Sequence, residues 1–177
     1  MIMKKFLINS ALSTLLLGVL SLSVSLHAHM MVEQHGTLNI VDDKVYMVLS
    51  IPMSAFYSVD SNNDGIVSML EFTNNRKKIA TKIKDKVVLS NEKSTFTING
   101  LLLSPEASHT KKKSIEYVTI TGRYTINGPL NDIKLNMDLF GISKKHRIIE
   151  ITTINKMQKN KHTFTLTPQN NSAVIAE

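Results

Sequence analysis

The chain of 177 residues is 42% hydrophobic but only 6% aromatic, has no cysteine, and carries 21 basic against 14 acidic residues, a formal charge of +7. The missing cysteines exclude a disulfide framework, thiol nucleophiles and thiolate metal ligands. The basic residues are spread over 76–86, 111–113, 144–147 and 156–161, and with no tryptophan and only six Phe and four Tyr to stack on bases, they read as solvated faces with loose attraction to anionic polymers, not as a nucleic-acid interface.

Lys4 and Lys5 precede an uncharged apolar run, Leu12–Leu26, that ends near small residues. A basic start, a short apolar stretch and a small-residue border predict a secretory signal peptide over residues 1–28, cleaved after Ala28 or after Ser25. The run is short for a membrane span of about 20 residues, so a retained anchor is the lesser reading, and no later segment is long or apolar enough to cross a bilayer. The expected product is a periplasmic or secreted chain of about 149 residues, a length that favours one domain. This chain opens His29, Met30, Met31, with His35, Met47 and Met53 beyond. A free amine beside an imidazole suits Cu²⁺ and thioethers suit Cu⁺, so an extracytoplasmic copper-binding or metal-homeostasis accessory protein is the alternative reading. The same methionines serve equally well as gap-filling core residues or as part of a tail.

Thr37–Val41 and Val45–Ile51 are β-rich runs separated by Asp42, Asp43 and Lys44, which predicts a hairpin ended by Pro52. Met53–Val59 allows two turns of helix with Phe56 on the buried side. The stretch Asp60–Glu71, DSNNDGIVSMLE, then sets oxygen-bearing groups at alternating positions and matches D-x-[DN]-x-[DN]-G-x₅-E at every fixed position. It resembles an EF-hand calcium loop. In that resemblance Asp60, Asn62 and Asp64 offer side-chain oxygens, Ile66 its backbone carbonyl, Ser68 a ligand directly or through a water, and Glu71 both carboxylate oxygens to close the site around Ca²⁺. Gly65 supplies the sharp turn. Val67 is the residue that forms a short strand between two loops when hands pair, so a homodimer joined through Val67 is one expectation. An Asx-rich surface turn is the other reading of the stretch, but such a turn needs neither Glu71 at that distance nor Phe56 and Phe72 on its two sides.

From Met69 onward, Phe72, Arg76, Ile79, Ala80, Ile83 and Val87 recur at three- and four-residue steps. They predict an amphipathic helix of roughly 20 residues whose apolar face covers the protein's own sheet. Ser94–Asn99 and Leu101–Ser104 flank an Asn99-Gly100 turn signal, and Ser114–Ile126 and Ile133–Phe140 alternate apolar with polar residues. With His146–Ile154 and His162–Thr167 they bring the total to about eight strands, and Pro168–Glu177 reads as a polar tail. The expected fold class is α+β: a mainly antiparallel β-sandwich over residues 29–167, with an inserted EF-hand (short helix, calcium loop, long amphipathic helix) at about 53–88.

This order of parts resembles bacterial extracytoplasmic (periplasmic or secreted) proteins with a single EF-hand. The loop with Phe56 and Phe72 is the specific part of the likeness, while Ser114–Tyr124 and Ile133–Gly141 carry only the general organisation. Some of that group continue into membrane helices similar to those of metal permeases; no such segment is expected here, so the resemblance implies calcium binding without a transport role. No Gly-rich phosphate cradle, nucleophile elbow or HExxH pattern occurs. The expectation is a non-catalytic binding or structural protein whose partner is the calcium ion, with no nucleic-acid partner and no protein partner identified by the residues. A lone hand with three carboxylates suits a structural ion held at roughly 0.1–1 mM, whereas paired sensor hands open to expose apolar surface.

Overall fold

Strict alternation makes the first hairpin. β1 (His35–Val41) and β2 (Lys44–Pro52) turn Leu38, Ile40, Val45, Met47, Leu49 and Ile51 inward and pair antiparallel from Gly36↔Leu49 to Val41↔Lys44. The two-residue turn between them places Asp42 at a φ of 52°, the positive value that tight hairpin loops demand. The computed structural model describes residues 33–108, 113–130 and 132–176, all within one compact unit, Met31–Glu177. The expected signal peptide and the residues His29, Met30 and Met31 lie outside the described residues. Among the described residues no helix is long and apolar enough to cross a membrane.

Two sheets and a few short helices follow. β6 (Ile115–Thr125) runs antiparallel along the whole of β2, from Lys44↔Thr125 to Pro52↔Tyr117, and β5 (Asn99–Ala107) lies on its other side. On the far edge of the hairpin β8 (Ile149–Asn155) pairs with β1 in parallel, and β9 (Asn160–Leu166) returns antiparallel to β8. The six-stranded order is thus β5-β6-β2-β1-β8-β9. The second sheet contains β3 (Val87–Ser90), β4 (Thr95–Phe96), β7 (Lys134–Met137) and β10 (Ser172–Val174), in the order β10-β7-β3-β4. Both sheets feed one apolar cluster, in which Ile120 and Tyr124 of the larger sheet join Leu89, Leu135 and Met137 of the smaller. The Tyr124 hydroxyl, fully buried, donates to the Val87 carbonyl at 2.8 Å and so ties β6 to β3.

Four expectations need correction. The helix of roughly 20 residues is two helices, α1 (Met69–Asn74) and α2 (Arg76–Lys86), broken at Asn75. Asn75 has φ −102° and ψ 10°, and its side-chain amide donates to the Glu71 carbonyl at 2.9 Å, the local competition with helix bonding that short polar side chains offer. Val87 is not a residue of this helix: its N–H caps α2 on the Ile83 carbonyl, and at φ −127° and ψ 97° it opens β3, where the chain becomes extended against β7. The Asn99-Gly100 turn signal is a bulge inside β5: Gly100 has φ 62°, and the register with β6 slips between Asn99 and Leu102. Lastly, Pro168–Glu177 is not a free tail, because Ser172–Val174 pairs with β7 and Ile175 is buried, its N–H donating to Ile133 at 2.9 Å.

Candidate metal centre

The chain enters the loop through a 3-10 helix, Met53–Val59, which buries Met53, Ala55, Phe56 and Val59 and ends where the Asp60 N–H donates to the Tyr57 carbonyl at 3.1 Å. It leaves through α1, whose N-cap is Ser68. Ser68 and Glu71 form a reciprocal capping box: the Ser68 hydroxyl accepts from the Glu71 N–H at 3.3 Å, and Glu71 Oε2 accepts from the Ser68 N–H at 2.9 Å. Phe72 follows, almost fully buried like Phe56, so both aromatic flanks anchor the loop in the core. Basic side chains lock α2 onto the same region, with Lys78 reaching the Ser58 carbonyl at 2.9 Å and Lys82 the Ala55 carbonyl at 2.8 Å.

Within the loop, backbone N–H groups orient the expected ligand side chains. Gly65 donates to Asp60 Oδ2 at 2.9 Å, Asp64 to Asn62 Oδ1 at 3.1 Å, and Ile66 to Asp64 Oδ1 at 3.0 Å. The Asn62 amide also donates to Asp64 Oδ2 at 2.9 Å. Gly65, at φ +80°, makes the reversal possible, and Asn63 beside it has φ 56°. Glu71 is buried and accepts from the Ser61 N–H at 2.9 Å on Oε1 and from the Ser68 hydroxyl at 2.9 Å on Oε2. The Ser68 N–H, then the Ser61 N–H and the Ser68 hydroxyl, hold its carboxyl below the ordinary glutamate range. Asp60 Oδ1 differs from all of these: it is buried and, among the described residues, has no hydrogen-bond partner.

The loop thus brings Asp60 to Gly65, Asn62 to Asp64, and Glu71 to Ser61 and Ser68. It does not gather its carboxylates into one cluster, for among the described residues no three His, Cys, Asp or Glu side chains converge where they could hold a metal ion. Each carboxylate instead turns at least one oxygen toward backbone N–H groups, the arrangement that satisfies neighbouring anions separately.

Val67, buried at the end of the loop, gives its carbonyl to the Ile115 N–H at 2.8 Å, and Ser68 forms an antiparallel bridge with Ser114. The edge that a second hand was expected to use in a dimer is therefore taken by the start of β6 in the same chain. Local sequence contains no sign of this pairing, which joins segments far apart in the chain; the alternation beginning at Ile115 is its only trace. Beside it lies a pocket of about 290 Å³, walled by Asp60, Ile66, Ile115, Glu116, Tyr57 and His146 among others. His146 lines this pocket, and no local spacing in the sequence marks it. Its Nδ1 lies 3.4 Å from Ser54 Oγ and its Nε2 3.4 Å from the Tyr117 hydroxyl, and burial followed by the Lys145 charge lowers its pKa.

Among the described residues, those that suit copper are dispersed. Met47 and Met53 are buried in the apolar core, and His35 contacts Glu150 Oε1 at 3.2 Å and the Glu33 carbonyl at 2.8 Å. No protein-family model matches the chain, and no curated protein matches it in sequence.

Proposed function

We propose that the loop Asp60–Glu71 binds one calcium ion in a secreted or periplasmic, non-catalytic protein whose two sheets form a mainly antiparallel sandwich, with the hand inserted between β2 and β3. The observation that carries this reading is Asp60 Oδ1, a buried carboxylate oxygen without a partner. Such an atom is costly to bury and gains most from a cation. The donor set agrees: Asp60, Asn62, Asp64, the Ile66 carbonyl, Ser68 and Glu71 are all hard oxygen donors, the chemistry that suits Ca²⁺ and not a soft metal. Asp60 Oδ2, Asn62 Oδ1 and both Asp64 oxygens each accept one N–H and keep a second lone pair, whereas Glu71 Oε2 already accepts both the N–H and the hydroxyl of Ser68. The ion supplies a fixed double positive charge; the chain supplies the turn at Gly65, the helix cap at Ser68 and the buried aromatic anchors at either end.

Calorimetry on the metal-stripped protein tests the assignment. Calcium is expected to bind at roughly 0.1–1 mM, and Glu71→Gln to weaken it more than Ser68→Ala, because Glu71 contributes two oxygens and Ser68 one at most. Equal affinities for the two variants would sink the ligand assignment. A thermal melt gives an independent reading, since calcium at about 100 times its dissociation constant stabilises by roughly 2.7 kcal/mol and magnesium serves as the control.

A further inference from the structure

Apart from its two helical ends, the loop is tied to the start of β6, and the tie falls between two expected ligands. Val67 C=O is held by Ile115 N–H at 2.8 Å, with Ile66 before it and Ser68, bridged to Ser114, after it. Fixing the Val67 carbonyl on β6 therefore holds the backbone that joins Ile66 to Ser68. Ser68 is held in extended backbone at φ −78° and ψ 165° by the same bridge. On the other side of the clamp, the Ser108 N–H donates to the Ser114 carbonyl at 2.8 Å, which links it to the end of β5. Val67, Ser114, Ile115 and Ser108 also line the pocket beside the loop.

We infer that the start of β6 is a positioning strand for the calcium site, so that one chain completes the site without a second copy and ion occupancy is transmitted through Val67–Ile115 to the end of the β5–β6 hairpin. This rests on the calcium reading above. Coupling is reciprocal: a strand that helps to hold the ligands is itself held more firmly when they are engaged.

Amide hydrogen exchange on the full-length protein, with and without saturating calcium, tests it, with binding followed in parallel by calorimetry. Exchange at Ile115 is expected to slow by about tenfold or more beyond any change at Ile151 in β8, which reports global stabilisation alone. Sedimentation is expected to show a monomer in both states. Ile115→Pro, which removes the donor, is expected to weaken calcium binding by about tenfold; if that variant does not fold, the exchange result on the parent protein decides. Calcium binding with no selective slowing at Ile115, or binding that requires dimerisation, overturns the inference while leaving the calcium reading intact. Absence of calcium binding in the parent protein overturns both.

Discussion

Gly65 and Glu71 show what single residues contribute to the loop. At Gly65, φ is +80° and no atom lies within 4 Å of where a Cβ would stand, so space is free and only the backbone conformation excludes other residues. Gly65→Ala is expected to cost about 1–2 kcal/mol in chemical denaturation, the left-handed penalty of an L residue; a neutral result would show that the turn relaxes at no cost. Glu71 is bound by N–H groups and a hydroxyl that favour its charged form, so its pKa in the folded protein lies below the unfolded value of 4.5. Its contribution to stability is therefore complete above about pH 4.5 and is lost as pH falls through the lower folded value. Metal-free melts from pH 6 down to pH 3 should show the parent protein losing its advantage over Glu71→Gln in that window; a constant difference would mean that Glu71 caps α1 without carrying charge.

At the scale of elements, the helical segment and β3 depend on contacts the chain makes elsewhere. α2 buries Ile79 and Ile83 and is fastened through Arg76 to the Leu103 carbonyl at 2.8 Å, as well as through Lys78 and Lys82. Lysines that read as a solvated face in sequence thus satisfy carbonyls of the 3-10 helix, their long apolar stems lying along its surface. β3 is short, and the Tyr124 hydroxyl holds it from the six-stranded sheet. Burial raises the pKa of that hydroxyl, so it remains a donor at neutral pH. Tyr124→Phe removes the bond and leaves the buried Val87 carbonyl one donor short; the expected cost is about 1–3 kcal/mol by denaturant titration. A change below about 0.5 kcal/mol would place the hold between the sheets in apolar packing alone.

At the scale of the whole molecule, one apolar cluster draws on the first hairpin, both loop flanks, both sheets and the C-terminal strand. Ile175 belongs to it at 1% exposure, just beyond β10. Ile175→Ala is expected to destabilise the protein by about 2–5 kcal/mol, whereas Leu70→Ala, at a side chain 70% exposed on α1, should stay within about 0.5 kcal/mol. Equal, small effects at the two positions would show that the C-terminal strand is dispensable. The parallel pairing of β1 with β8 closes the far side of the hairpin with a strand that lies more than a hundred residues away in the chain.

Much of this was legible in the chain itself, and for a common reason. The hairpin β1–β2, the oxygen-bearing order of Asp60–Glu71, the turn at Gly65 and the buried faces of Phe56, Phe72, Ile79 and Ile83 all follow from spacings of a few residues, where local geometry dictates which groups meet. Elements whose partners are distant were not legible. β3 and β10 are only four and three residues long, too short for a periodic signal, and Asn99-Gly100 permits a bulge as readily as a hairpin turn. The sequence by itself therefore determined the chemistry of the loop and the β-rich character of the chain. Only the tertiary structure decided that Val67 is anchored by Ile115, that Asp60 retains a buried oxygen without a partner, and that the C-terminal residues seal a sheet edge. Each of these depends on which distant strand supplies the missing hydrogen bond, and local pattern does not encode that choice.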